Sequence, residues 1–468
     1  MSNDAKALKS GVWYAMAVMM QKGIWIVTIP LFSRLLTKAE FGAYNNYTAW
    51  LAVLTIIVTL NLESTFLSAI NDFRKTIDEY VLSLLCLGTI STAFFTIIIN
   101  VFHTAFENLF SLRLLYINAI LVYLLFLPAL TLFQTRDRFL FKYKTSALAT
   151  GLTALASELL ALALVFFSKD DRLTMRIVGS VIPTVVIGAI FYAYFIKTGK
   201  RVKIKYWKYA LPIALPYVPH LISMVILSST DKIMITKICG EADNAMYSIA
   251  YTCGMAITAL VMTMNNAYSP WLADKLHNED RQSVKSMSDK YFGFFAFCTV
   301  GVMLLSPELL LVLGGKQYYE ARFIVPPIIM GCVFQFAYTM FVNIEQFKKK
   351  TVGMSIASVI AAALNCLLNL LLIPKFGYEI AAYTTVVSYA ALYGMHYFLV
   401  KRLGYADVYK NTVIWIEMAG LIAAMFVSIV LYSHTVIRYI TVGVYVVLLV
   451  FIALKSLPMI RQIMKKES

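Results

Sequence analysis

Residues 80–102 read YVLSLLCLGTISTAFFTIIINVF, twenty-three positions without one charged side chain. As a helix rising 1.5 Å per residue, that stretch covers about 35 Å, enough to cross the roughly 30 Å hydrocarbon core of a bilayer. Hydrocarbon offers backbone N–H and C=O groups no partners, so a spanning segment of this composition is helical. Working outward, comparable stretches fall at 10–33, 43–68, 112–134, 143–167, 175–196, 207–230, 243–265, 291–313, 324–347, 352–373, 378–400, 411–432 and 437–455. The expected fold class is all-α integral membrane with about fourteen transmembrane helices, an even number that puts both termini on one side.

Composition agrees. Of 468 residues, 60% are hydrophobic and 14% charged, and the mean hydropathy is +0.74. Soluble domains hold roughly 45–50% apolar and about 25% charged residues. The net charge of +16 does not point to nucleic acid, because no basic cluster is interleaved with exposed aromatics on a soluble domain. It comes from an asymmetry between loops. Twenty-eight Lys and Arg residues lie on the terminal side, among them Arg136, Arg138, Lys200, Arg201, Lys348, Lys349 and Lys350, and twelve lie opposite. That bias predicts cytoplasmic termini.

Other classes drop out. The six cysteines are scattered through apolar segments without metal-ligand spacing, so neither a metal nor a cofactor is expected. The first apolar stretch contains Lys22, runs too long and lacks a small-residue cleavage site, so it does not read as a cleaved signal peptide. Gly314-Gly315-Lys316 lacks the rest of a phosphate loop. The longest loop, about 266–290, reads as a cytoplasmic amphipathic connector, and no outer loop exceeds about a dozen residues. An intramembrane sugar polymerase or ligase needs more room than that. The chain is expected to move a substrate and not to be an enzyme.

Charges deep in a membrane are costly and mark function by default. Lys22 and Glu158 sit near mid-depth of their segments. Gln21 adjoins Lys22, and Tyr14, Gln21 and Thr28 recur every seven residues as a polar stripe. Lys22 either meets an anionic group of the substrate or forms a structural ion pair with Glu158 or Glu63. Glu63 ends a stripe of Thr48, Ala52, Thr55 and Thr59 at helical spacing, and either lines a cavity or snorkels to the interface. Glu345 and Glu417 lie near cytoplasmic ends, with Glu345 expected to pair with Lys348–Lys350. Pro212, Pro216 and Pro219 break the seventh segment, and His220 beside them either carries a proton or is a hydrogen-bonded histidine. Asp231-Lys232 closes that segment outside, as a gate pair with Arg34 nearby or as a surface pair.

A weak repeat supports a two-lobed plan. Leu35-Leu36-Thr37-Lys38 followed by Gly42-Ala43-Tyr44 is echoed by Met234-Ile235-Thr236-Lys237 followed by Asn244-Ala245-Met246-Tyr247. Parallel repeats build two halves around a cavity. The expected domains are 1–200 (spans 1–6), 201–400 (spans 7–12) and 401–468 (spans 13–14 and tail).

Four ordered blocks carry a family resemblance: Pro30-Leu31-Phe32-Ser33-Arg34 through Phe41-Gly42-Ala43-Tyr44; Asp231-Lys232-Ile233-Met234 through Tyr247-Ser248-Ile249-Ala250-Tyr251; Asn266-Ala267-Tyr268-Ser269-Pro270-Trp271; and Asn365-Cys366-Leu367-Leu368-Asn369 with Leu372-Ile373-Pro374-Lys375-Phe376-Gly377. The set resembles the polysaccharide-repeat, or oligosaccharide, flippases of the multidrug/oligosaccharidyl-lipid/polysaccharide exporter superfamily. The resemblance implies two six-helix lobes in a V around a central cavity, with two extra C-terminal helices. It implies as substrate an oligosaccharide on undecaprenyl pyrophosphate, for capsule, O-antigen (lipopolysaccharide) or exopolysaccharide assembly. A coupling ion (H+ or Na+) and a polysaccharide polymerase partner would fit. Glu379-Ile380-Ala381-Ala382 departs from the family's glycine before paired alanines. Cavity residues are poorly shared in these flippases, so no substrate contact carries over by motif. A multidrug/cation antiporter of the same superfamily and a lipid-linked peptidoglycan-precursor flippase are the alternatives. Lys22 and the cationic loops weigh against the first.

Overall fold

The computed structural model describes residues 23–24, 27–140, 143–348 and 350–467, with side chains at all of these except 67, 71, 138, 139, 143, 217, 220, 267, 351 and 452–467. Every regular element among the described residues is helical. Helices Ile77–Val101, Leu114–Phe139, Tyr143–Phe167, Arg172–Gly199, Val325–Phe347, Thr351–Phe376 and Asn411–Leu431 fall on the expected apolar segments. Eight helices among the described residues are long and apolar enough to cross a membrane, or nine if Arg281–Leu304 and Ser306–Leu313, bent by 61°, count as one. The first expected span, 10–33, lies largely outside the described residues. Lys38–Thr59 and Ile380–Arg402 fall on expected spans but are diluted by polar and tyrosine side chains, Asn45 and Asn46 in one and Tyr383, Tyr393 and His396 in the other. The chain is a multi-pass helical membrane protein.

Two boundaries differ from expectation for identifiable reasons, and one break falls where it is expected. The Lys38–Thr59 helix begins with a reciprocal cap, Thr37 accepting from the Glu40 N–H while the Glu40 carboxylate accepts from the Thr37 N–H at 2.8 Å. It stops at Leu60 and Asn61, both with positive φ (55° and 46°), well short of residue 68. Beyond the break Leu62 and Phe66 turn into a core cluster with Tyr80 and Tyr206. The expected loop at 266–290 is mostly helix: Glu241–His277 runs 37 residues, about 55 Å. Only Asn278, Glu279 and Asp280 separate it from Arg281–Leu304. Pro270 costs one ladder bond there without ending the helix. The seventh segment is divided at Leu215-Pro216 into Ile204–Ala214 and Tyr217–Ile238, as its prolines require.

The chain forms two compact units, Met1–Ser248 with Ala362–Ala381, and Ile249–Ala361 with Ala382–Ser468. In the first, Arg172–Gly199 packs on Tyr143–Phe167 so closely that a Cβ on Gly179 would lie 2.3 Å from the Ala161 Cα. Small residues permit such approach where no hydrophobic effect separates helices from lipid. In the second, ring stacking dominates: Phe295 on Phe336 at 4.0 Å and Tyr268 on Tyr291 at 4.1 Å.

Candidate functional site

Burying charge is tolerated only where it is paired and hydrogen-bonded, so buried charged groups locate the sites. In the first unit Arg176, 2% exposed, lies four residues into its helix. Its guanidinium meets the Glu158 carboxylate at 3.1 Å, and Thr28 donates to the same carboxylate at 3.1 Å. The planar cation sits 3.8 Å from the Phe32 ring centroid and 4.4 Å from that of Tyr44. A desolvated guanidinium against an aromatic face gains about 2 kcal/mol. Arg176 Nε and Nη1 have no hydrogen-bond partner among the described residues. The arrangement is a partly satisfied cation joining four helical segments of one unit. Glu158 is thus partnered by Arg176, eighteen positions further along the chain. Lys22 and Gln21 lie outside the described residues.

A second constellation in the same unit centres on Asp231, 2% exposed. Tyr247 donates its hydroxyl to one carboxylate oxygen at 2.6 Å and Asn369 donates its amide to the other at 2.6 Å. Asn369 also donates to Asn365 at 3.3 Å. The surface-pair reading of Asp231-Lys232 is therefore corrected: successive helix positions point about 100° apart, and Asp231 faces the interior. Arg34, by contrast, is exposed and donates to its own helix at Pro30 O, 2.6 Å away.

Glu63 lies past the break at Leu60, on the Leu62–Thr65 turn, and is exposed. The polar stripe consequently ends at Thr59. His220 is on the Tyr217–Ile238 helix, with its side chain outside those described. Among the described candidates, Asp231 and Lys232 are neighbours on one helix, while Glu158 and Asp231 have separate hydrogen-bond partners. In the second unit Glu345 is paired with His396 at 2.9 Å, and among the described residues it makes no ion pair with Lys348 or Lys350; Lys349 lies outside them. Arg438 clamps Glu308 with two bonds of 2.6 and 2.9 Å. Sequence reading missed Arg176, Asn369 and His396. Spacing could have hinted at Asn365 and Asn369, four apart in an otherwise apolar segment and so on one face. Arg176 and His396 gave no such signal, because their partners are distant in sequence.

No curated protein sequence matches the chain. Among solved structures it is similar to the lipid II flippase MurJ in an inward closed conformation, with a TM-score of 0.70 and 16% identity over 96% of this chain and 100% of that one. It is also similar to an inward-facing multidrug resistance MATE family transporter of the MOP superfamily, with a TM-score of 0.59 and 13% identity over 85% of this chain and 98% of that one. At such identities the likeness is one of fold. The family model described as polysaccharide biosynthesis protein matches residues 7–275, more than half the sequence, so the chain belongs to the polysaccharide biosynthesis protein family.

Proposed function

We propose that the protein is a flippase that moves an oligosaccharide repeat unit linked to undecaprenyl pyrophosphate across a bacterial plasma membrane by alternating access. The observation that carries this reading is the family match over residues 7–275, on a chain whose fold is that of flippases and transporters. In this reading the fourteen-span topology keeps both termini in the cytoplasm. Lys22 and Gln21 contact the pyrophosphate from the first segment, where a lysine costs about 3 kcal/mol and must serve a purpose. Glu158, Glu63 and His220 line the route. Arg34, Asp231 and Lys232 gate its outer end, and a proton or sodium ion drives the cycle. The product leaves for a polysaccharide polymerase outside.

The test is a deletion strain. Lipid-linked repeat units should accumulate on the cytoplasmic leaflet, and the wild-type gene should restore surface glycan. A strain with normal glycan and heightened drug sensitivity would instead identify a multidrug antiporter. Arrest of cell-wall synthesis with lipid-linked peptidoglycan precursor accumulating would identify a precursor flippase.

A further inference from the structure

The second unit contains a carboxylate and an imidazole that are each 1% exposed and in direct contact. Glu345 comes from the Val325–Phe347 helix and His396 from Ile380–Arg402. His396 Nδ1 lies 2.9 Å from Glu345 Oε1, and the Tyr338 ring stacks on the imidazole at 5.5 Å and 16°. The other carboxylate oxygen, Oε2, is buried and has no hydrogen-bond partner among the described residues. Glu345 also lines a cavity of about 460 Å³ with Lys350, Gly353, Leu399 and Arg402. Among the described residues, the charged and titratable groups near the pair are Tyr338 on the first helix, Arg402 on the second and Lys350 ahead of the Thr351–Phe376 helix. Lys348 turns elsewhere, its ammonium 4.3 Å from the Tyr405 ring centroid.

An ionised carboxylate beside a neutral imidazole is a net negative charge with one oxygen stranded, the costly arrangement in a buried place. One added proton makes the pair neutral overall, either as carboxylic acid with imidazole or as carboxylate with imidazolium. The two groups are close enough that the proton belongs to the pair. Here Oε2 is left without a partner among the described residues, in a residue that borders the cavity. We propose that Glu345 and His396 form a proton-binding site that takes up one proton at Glu345 Oε2. Where the flippase reading holds, this site couples proton movement to transport.

Infrared pH-difference spectra of the purified full-length protein test the site without any substrate. Wild type should show a buried carboxylic C=O band that grows as pH falls. The band should be absent in Glu345→Gln, and its midpoint should move in His396→Gln, which keeps a polar side chain but cannot be protonated. Spectra of Glu345→Gln identical to wild type overturn the proposal. Should Glu345→Gln fail to accumulate, an unmoved midpoint in His396→Gln overturns it equally. In vesicles given a pH gradient, export of lipid-linked oligosaccharide should lose its response to the gradient in Glu345→Gln. Export by that variant that follows the gradient as wild type does removes the coupling. A wild type that moves no lipid-linked oligosaccharide, with the infrared band intact, counts against the flippase reading alone.

Discussion

The α-carbon of Gly42 rests against the backbone carbonyl of Glu241: a Cβ built on Gly42 would lie 1.7 Å from that oxygen and 3.2 Å from the Ala245 nitrogen. Asn244 completes the junction by donating its amide to Gly42 O at 3.0 Å. These are the two copies of the sequence repeat, and within the first unit their helix starts touch. The obstacle to a side chain is backbone, which cannot rotate away. Gly42→Ala should therefore force the helices apart and destabilise by on the order of 3 kcal/mol. Gly420→Ala, where a Cβ meets nothing within 4 Å on an exposed helix face, should be neutral or slightly stabilising. Thermal unfolding of the two purified variants makes the comparison; equal melting temperatures would contradict the close approach.

How much of this was legible in the sequence follows from the range of each interaction. Apolar length and periodicity are local, so the helices over 143–167 and 411–431 fall nearly where the sequence places them. The proline break at Leu215-Pro216 is also local, since Pro216 has no N–H for a helical bond and its ring crowds the carbonyl four residues back. The break at Leu60-Asn61 depends on Leu62 and Phe66 finding Tyr80 and Tyr206, a tertiary preference invisible to a 3.6-residue count. The same limit hid the partners of the buried charges. Glu158 and Arg176 are eighteen positions apart and Glu345 and His396 fifty-one, so a depth argument marks a carboxylate as needing a partner without naming it.

Arg176 and Glu158 should behave as one unit. Arg176→Leu strands the Glu158 carboxylate beside Thr28 and should cost on the order of 3–5 kcal/mol, seen as lost protein in the membrane. Adding Glu158→Leu should recover most of the level, because an apolar pair of similar volume avoids desolvating either charge. If the single and double variants accumulate alike, the pair contributes nothing to folding and the two residues act elsewhere.

Pro216 separates two helices whose ends, Ala214 and Tyr217, are only a turn apart. Restoring an N–H with Pro216→Ala removes the clash with the carbonyl at Pro212 and lets the segment straighten. The variant should reach the membrane at wild-type abundance and export glycan more slowly, because the break is read as a hinge. Normal export at normal abundance would dismiss the hinge.

Asp280 caps the Arg281–Leu304 helix and has a defined pH window. Its carboxylate accepts from the Ser283 N–H at 3.1 Å and meets the Lys275 ammonium at 2.9 Å. The Lys275 hydrogen bond first, then those from Ser283, hold its carboxyl down to about 2. A depressed value means the stabilisation is complete above the unfolded value near 3.9 and is lost as pH falls toward about 2. Asp280→Asn keeps a cap but not the charge. Its melting temperature should lie below wild type at pH 6, and the gap should narrow as pH falls from about 4 through about 2. A gap independent of pH would assign the effect to packing.

Asp231 is where charge and shape can be separated. Two donors, the Tyr247 hydroxyl and the Asn369 amide, approach its carboxylate at 2.6 Å. Asp231→Leu leaves the Tyr247 hydroxyl and Asn369 amide facing an apolar group, at about 1–3 kcal/mol for each stranded donor. Its abundance should fall accordingly. Asp231→Asn is different. Its oxygen can still accept from Asn369, while its amide donates to Tyr247, whose hydroxyl is able to accept. Shape and most hydrogen bonds survive and only the negative charge is removed. Neutral side chains could have filled this interior position at lower desolvation cost, so the retained charge is expected to serve the transport cycle. Asp231→Asn should therefore reach the membrane at close to wild-type level and export lipid-linked oligosaccharide at least about tenfold more slowly, a barrier increase near 1.4 kcal/mol. Abundance and export measured on both variants decide between the roles. Wild-type export by a normally abundant Asp231→Asn protein would leave Asp231 as a hydrogen-bonding post between three helices, with no part in gating.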